Sequence, residues 1–173
     1  MRRAHDLIGL PVLTVDSGKQ IGQVKDILID PEWNIRGIIL EAKMWLSSLR
    51  YVPWDGVVAA GEDAVTIPND KVIIEFEHAE ECHAFLEGSR AIKGLPVVTI
   101  GGDKLGVVED VYLTQDWGKQ IVGYELSEGF ISDLKEGRRW LPMPDSATKG
   151  EDAIIVPVHC SQEIEELFVS KEE

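Results

Sequence analysis

The residues best equipped for reaction chemistry are few. His78, Cys82 and His83 fall within a stretch, residues 78–88, that reads as one helix, and His78 and Cys82 are four apart, on one face. Such a face can offer nitrogen and sulfur to a zinc ion, and His159 with Cys160, later in the chain, could complete four ligands. The spacing matches no familiar zinc pattern, and there is no C-x-x-C pair. Cys82 also fits the apolar face of that helix, where a free cysteine behaves as a small hydrophobe. The expectation is no metal site and no cofactor, with His78, Cys82, His83 and His159 as the residues that would overturn it. No catalytic residue is expected either, because a Cys–His nucleophile needs an orienting third group and an oxyanion loop, and neither is visible.

Two acids stand inside apolar strands at matching places, Asp26 and Asp110. They are expected to be structural, accepting hydrogen bonds from turn amides, since a buried acid is normally bonded and a lone carboxylate lacks the partners of a reactive site. Gly101-Gly102-Asp103-Lys104 lacks the spacing of a phosphate loop and is followed by no helix, so a hairpin turn is expected there.

Two apolar loops are more informative. Trp45, Leu46 and Leu49 recur as Phe130, Ile131 and Leu134, in the same i, i+1, i+4 pattern. Each set suits a single helical turn with one apolar face. Two readings are open: a plug for the end of its own barrel, or a knob that binds a protein partner or a second subunit. These six residues are the candidate partner-binding set. The basic stretch 135–139 flanks the second.

The elements that must position these residues follow from composition and repetition. The chain has 173 residues, 44% hydrophobic and 28% charged, which is ordinary for a globular protein of one large or two small domains. Its net charge of −14 argues against direct nucleic-acid binding, which needs a basic footprint, and against an anionic membrane surface. Two cysteines make no disulfide framework. No apolar run approaches the ~20 residues of a membrane helix, and the N-terminus lacks the apolar core of a signal peptide. A cytoplasmic protein without an integral membrane segment is expected.

The sequence is a duplication. Gly9-Leu10-Pro11-Val12 returns as Gly94-Leu95-Pro96-Val97, and Ile21-Gly22-Gln23-Val24-Lys25-Asp26 as Leu105-Gly106-Val107-Val108-Glu109-Asp110. Trp33 is matched by Trp117, Gly37 by Gly123, Tyr51-Val52-Pro53 by Trp140-Leu141-Pro142, and the turn 61–65 by 150–154. Matches in one order imply two homologous domains rather than a solenoid. In the first copy, residues 11–15, 20–29, 35–43, 50–53, 56–60 and 64–67 read as strands, with Gly22 marking a bulge. Short strands at this spacing suggest a small antiparallel barrel. Residues 78–88 and 162–169 carry helical spacing, and each helix is expected to cover a barrel.

These motifs resemble the PRC-barrel domain family: the two G-L-P-V segments, Gly18-x-x-Ile21-Gly22-x-Val24-x-Asp26 with Leu105-Gly106-x-Val108-x-Asp110, Gly37 and Gly123, and Tyr51-Val52-Pro53-Trp54 with Trp140-Leu141-Pro142. The resemblance covers roughly residues 5–75 and 90–160. It implies a small β-barrel like the cytoplasmic domain of the reaction-centre H subunit, and is similar to the C-terminal domain of a ribosome maturation factor. Such relatives act in docking or assembly and share no catalytic residues.

The expectation is an all-β protein of two PRC-type barrels in tandem, each followed by a short α-helix: a first barrel at 1–75, a connecting helix at 76–89, a second barrel at 90–160, and a C-terminal helix and tail at 161–173. Its expected role is a non-enzymatic adaptor that docks a protein partner or self-associates, including as a homodimer. The resemblance also implies an alternative, accessory work in RNA metabolism or ribosome assembly through a basic protein. A third alternative is a metal-dependent protein or enzyme.

Overall fold

The structure, a computed structural model, describes residues 2–41, 49–76, 82–88, 90–114, 119–128 and 138–166. The chain forms two compact units, Met1–Ala91 with Leu113–Ile121, and Ile92–Tyr112 with Val122–Glu173. After a two-residue strand, β1 (Arg2–Arg3), come β2 (Pro11–Thr14), β3 (Gln20–Ile29), β4 (Ile35–Leu40), β5 (Leu49–Pro53), β6 (Ala59–Ala60), β7 (Val65–Ile67), β8 (Ile74–Phe76) and β9 (His83–Ala84). The second copy carries β10 (Pro96–Thr99), β11 (Lys104–Leu113), β12 (Ile121–Ser127), β13 (Arg139–Pro142), β14 (Thr148–Lys149), β15 (Ile154–Val156), the single-turn helix α1 (Cys160–Glu163) and β16 (Glu165–Glu166).

The duplication extends to topology. The first sheet runs β6-β7-β2-β3-β4-β5-β8, with β9 against β3, and the second runs β14-β15-β10-β11-β12-β13-β16. In each copy a meander is followed by a strand that returns parallel to the first, pairing Val12 with Val65 and Val97 with Ile154. The alternation of the sequence supplies the core: Val12, Ile38, Leu40, Val52, Val65 and Ile67 are buried in one copy, and Val97, Tyr124, Leu126, Leu141, Ile154 and Val156 in the other. Burying each such side chain stabilises the fold by about 1.5–3 kcal/mol. The local bonds repeat as well. Gly9 N donates to Val24 O at 2.8 Å and Gly94 N to Val108 O at 2.8 Å, and both glycines need positive φ (87° and 90°).

The Gly22 bulge is present. Pairing slips between Val12 and Leu13, which face Gly22 and Gln20, and the same slip recurs at Val97 and Val98, opposite Gly106 and Lys104. The bulge removes a carbonyl from the ladder. In the first copy Arg50 reaches across β4 from β5 and donates to Ile21 O at 3.1 Å and to Glu41 O at 3.1 Å. In the second, Arg139 donates to Leu105 O at 3.1 Å. Gly37 and Gly123 have a different cause: a Cβ at Gly37 would collide with the Val52 carbonyl and the Tyr51 ring, and one at Gly123 with the Trp140 indole. An aromatic side chain lies over a strand glycine in both copies.

The two expected helices are corrected. Within residues 78–88, the described part contains β9, whose His83 and Ala84 pair with Ile29 and Leu28. Phe85 is fully buried and its amide donates to Ile27 O at 2.9 Å. Asp26 then holds the next two amides, Leu86 N on Oδ1 at 2.9 Å and Glu87 N on Oδ2 at 2.9 Å, alongside Ile27 N at 2.7 Å. The partners of β3 thus outcompete local helical spacing. Within 162–169, Gln162 and Glu163 end the helical turn Cys160–Glu163, Glu165 and Glu166 pair with Trp140 and Arg139 as strand β16, and 167–169 lie outside the described residues.

Asp26 is therefore structural, as its place in the sequence suggested. Burial raises its carboxyl pKa above the ordinary 3.8, against the three amides and with the help of Glu87. A raised folded pKa gives stability that is complete below about 3.8 and lost as pH rises through the folded value. Asp26→Asn cannot ionise and keeps an acceptor for two of the amides, at a pH-independent cost in the third. Urea denaturation should show the variant gaining on the wild type between about pH 3 and pH 7; a difference that is flat or runs the other way contradicts this account of Asp26.

Candidate functional site

A cleft of about 520 Å3 opens in the first unit, lined by residues of the β3–β4 turn, of β4 and β5, of the 3₁₀ turn Trp54–Gly56, and by Lys119. The turn is organised by one buried carboxylate. Asp30 Oδ1 accepts Glu32 N at 3.0 Å and Asn34 N at 2.9 Å, and Oδ2 accepts Arg36 Nε at 3.0 Å. Asp30 N donates to Asn34 O at 2.9 Å, closing the hairpin, and Trp33 inside it is buried with φ 62°. A bulky residue at positive φ is held only where the surroundings overdetermine it. Here Trp33 O accepts Ile121 N at 3.0 Å and Ile35 N donates to Lys119 O at 2.6 Å.

Those bonds place the Lys119 side chain, whose Nζ meets Asp55 Oδ1 at 2.6 Å. Tyr51 forms the wall, its hydroxyl donating to Arg36 O at 2.6 Å. Burial, then the neighbouring Cys82 and Asp55, push the Tyr51 phenol above its ordinary 10.0, while Arg36 pulls it down. Pro53 and the half-buried Trp54 complete an apolar side. The cleft therefore joins flat aromatic surface to acids and cations set in pairs, which suits recognition of a polar chain. Among the described residues its lining holds no histidine, cysteine or serine to serve as nucleophile or base.

The second copy is built differently over the same frame. Glu125 is buried on β12 and bonded by Arg138 Nη1 at 2.8 Å and by the Tyr112 hydroxyl at 3.4 Å. Tyr112 meets Trp140 edge-on at 4.7 Å. Ser127 donates to Glu109 at 2.8 Å.

Of the residues singled out from sequence, Trp45, Leu46, Phe130, Ile131, Leu134 and His78 lie outside the described residues. Leu49 begins β5 and is 39% exposed. Cys82 and His83 are half-buried in the first unit, His83 within β9, whereas the exposed His159 precedes α1 in the second. A ligand set drawn from one helix at 78–88 loses its scaffold, because His83–Ala84 is strand β9 and the described residues of that stretch form no helix. The cleft was missed. Asp30-Pro31-Glu32 announced a turn and Tyr51-Val52-Pro53-Trp54 a strand end, yet nothing local in the sequence links them to Lys119.

A protein-family model described as the PRC-barrel domain matches residues 1–74 and again 87–160. The chain belongs to the PRC-barrel family. It is also similar to Bacillus subtilis YrrD, a protein described as uncharacterised, with 28% identity over 152 residues, 84% of this chain and 81% of that one. Among the described residues no helix is long and apolar enough to cross a membrane.

If Asp30 acts mainly as the acceptor of turn amides, removing it and removing its cation have different effects. Asp30→Ala leaves two amides without their acceptor and should cost about 1–3 kcal/mol. Arg36→Ala breaks only a pair whose arginine is 61% exposed and should cost under about 1 kcal/mol. Urea midpoints of the two variants decide it; equal losses would mean that the ion pair, not the turn, is what Asp30 serves.

Proposed function

We propose that this PRC-barrel protein is a non-enzymatic adaptor that docks a basic segment of a protein partner in the cleft of its first unit. The observation that carries this reading is the lining of the cleft. Asp30, Glu32 and Asp55 outnumber Arg36 and Lys119, both cations are already paired, and Tyr51, Pro53 and Trp54 offer apolar surface beside them. A general acid or base must exchange its proton, and groups held in ion pairs are poorly placed for that. An aromatic wall rimmed by acids suits an extended peptide carrying Lys or Arg. The net charge of −14 attracts such a partner over distance and speeds encounter. On this reading the apolar residues Trp45, Leu46, Leu49, Phe130, Ile131 and Leu134 add hydrophobic contacts to the complex.

The test places a photocross-linking amino acid at Trp54 in the native cell and identifies the adduct. The purified partner is then titrated against wild type and against Glu32→Lys/Asp55→Lys. Binding should weaken roughly tenfold or more in the double variant. It should also weaken as salt rises from about 0.1 to 1 M, which shortens the screening length from about 10 to 3 Å. Binding indifferent to both, or a cross-link only to a second copy of this chain, contradicts the proposal.

A further inference from the structure

The second unit holds a group of donors that the docking role does not use. The turn 157–163 is fixed by Cys160 N on Pro157 O at 3.2 Å and Gln162 N on His159 O at 3.0 Å. It brings a His159 nitrogen, the Cys160 sulfur and a Glu163 oxygen within 4.8 Å of one another. His159 Nε2 and Glu163 Oε1 stand 3.7 Å apart, close to the roughly 3.4 Å that separates two ligands about 2.1 Å from a tetrahedral ion. Both side chains are about half exposed, 56% and 46%, so each can swing the remaining distance. The thiol is the fixed member: Cys160 is fully buried, and among the described residues no hydrogen bond engages its sulfur.

We propose that His159, Cys160 and Glu163 form a three-ligand site for a divalent first-row transition ion of the zinc class, with water completing the shell. Imidazole, thiolate and carboxylate together select such an ion over magnesium or calcium, which prefer oxygen alone. The carboxylate of Glu163 beside the thiol brings negative charge that favours a cation. On binding, the S–H bond gives way to a metal–sulfur bond and the proton passes to solvent. The corresponding turn of the first unit, Asp70–Val72, carries Asp70-Lys71-Val72 and offers neither imidazole nor thiol, so the site belongs to the second copy alone.

Cobalt(II), a spectroscopic stand-in for zinc, tests this on the full-length protein. Titration should produce a thiolate-to-cobalt band in the near ultraviolet at one ion per chain, displaced by added zinc. The band should persist in Cys82→Ser, which removes the other thiol, and vanish in Cys160→Ala. Because Cys160→Ala touches the core, the surface variants His159→Ala and Glu163→Gln serve beside it, each weakening cobalt about tenfold or more. A folded wild type with no thiolate band, or a band that survives in the His159→Ala/Glu163→Gln double variant, or one lost in Cys82→Ser, overturns the proposal.

Discussion

Each half of this molecule depends on an arginine that repairs a bulge. A bulge bends the strand and helps the sheet to curl, but it leaves a carbonyl that the ladder cannot use. At Ile21 and at Leu105 that carbonyl is taken by Arg50 and by Arg139. Each arginine stands two strands away, so its guanidinium ties β3 to β5 across β4, and β11 to β13 across β12. Glycine at the bulge is part of the same device. A Cβ on Gly22 would lie 3.2 Å from Arg50 Nη2, and Gly106 combines φ 155° with the Ser127 carbonyl 2.8 Å from where a Cβ would sit. The two glycines that sequence comparison of the halves picks out are thus paired with Arg50 and Arg139, which directly precede the matched Tyr51 and Trp140.

Upon that shared frame the copies have diverged at matched strand positions. In the first, Ile39 and Tyr51 are cross-strand neighbours, and the cleft opens beside Tyr51. In the second, the equivalent pair is Glu125 and Trp140, and the carboxylate is buried in a network with Arg138 and Tyr112. A buried charge of this kind is tolerated because it is fully bonded. The shared topology rests on core residues constrained by packing, which leaves other positions free to differ between the copies.

Much of the frame was legible in the sequence because it is written in local signals. Alternating apolar residues marked the strands, Gly22 marked the bulge, and the recurrence of Gly-Leu-Pro-Val marked the second copy. The helices misled because residues 78–88 and 162–169 satisfy helical spacing, while among the described residues the backbone at 83–87 and at 165–166 has better partners far away. Asp26, about sixty positions upstream, claims Leu86 and Glu87, and β13 claims Glu165 and Glu166. The repeat held a warning: Ile74-Glu75-Phe76 forms β8 in the first copy, and Glu165-Glu166 is the counterpart that forms β16. The cleft was illegible for the same reason. Asp30, Tyr51, Trp54 and Lys119 become neighbours only through strand pairing and the bonds of Trp33 and Ile35, and no spacing rule anticipates that.

The most direct measurement of the duplicated bulge tie is amide hydrogen exchange by NMR on Arg50→Met and Arg139→Met, substitutions that keep length and remove the donors. Each should lower protection in its own unit by an amount equivalent to about 1.5–3 kcal/mol, the range for a hydrogen bond to a charged group. If either arginine can be removed with changes within about 0.5 kcal/mol throughout its unit, the two halves are not held by the same interaction, and the account of a single module copied twice fails at its structural centre.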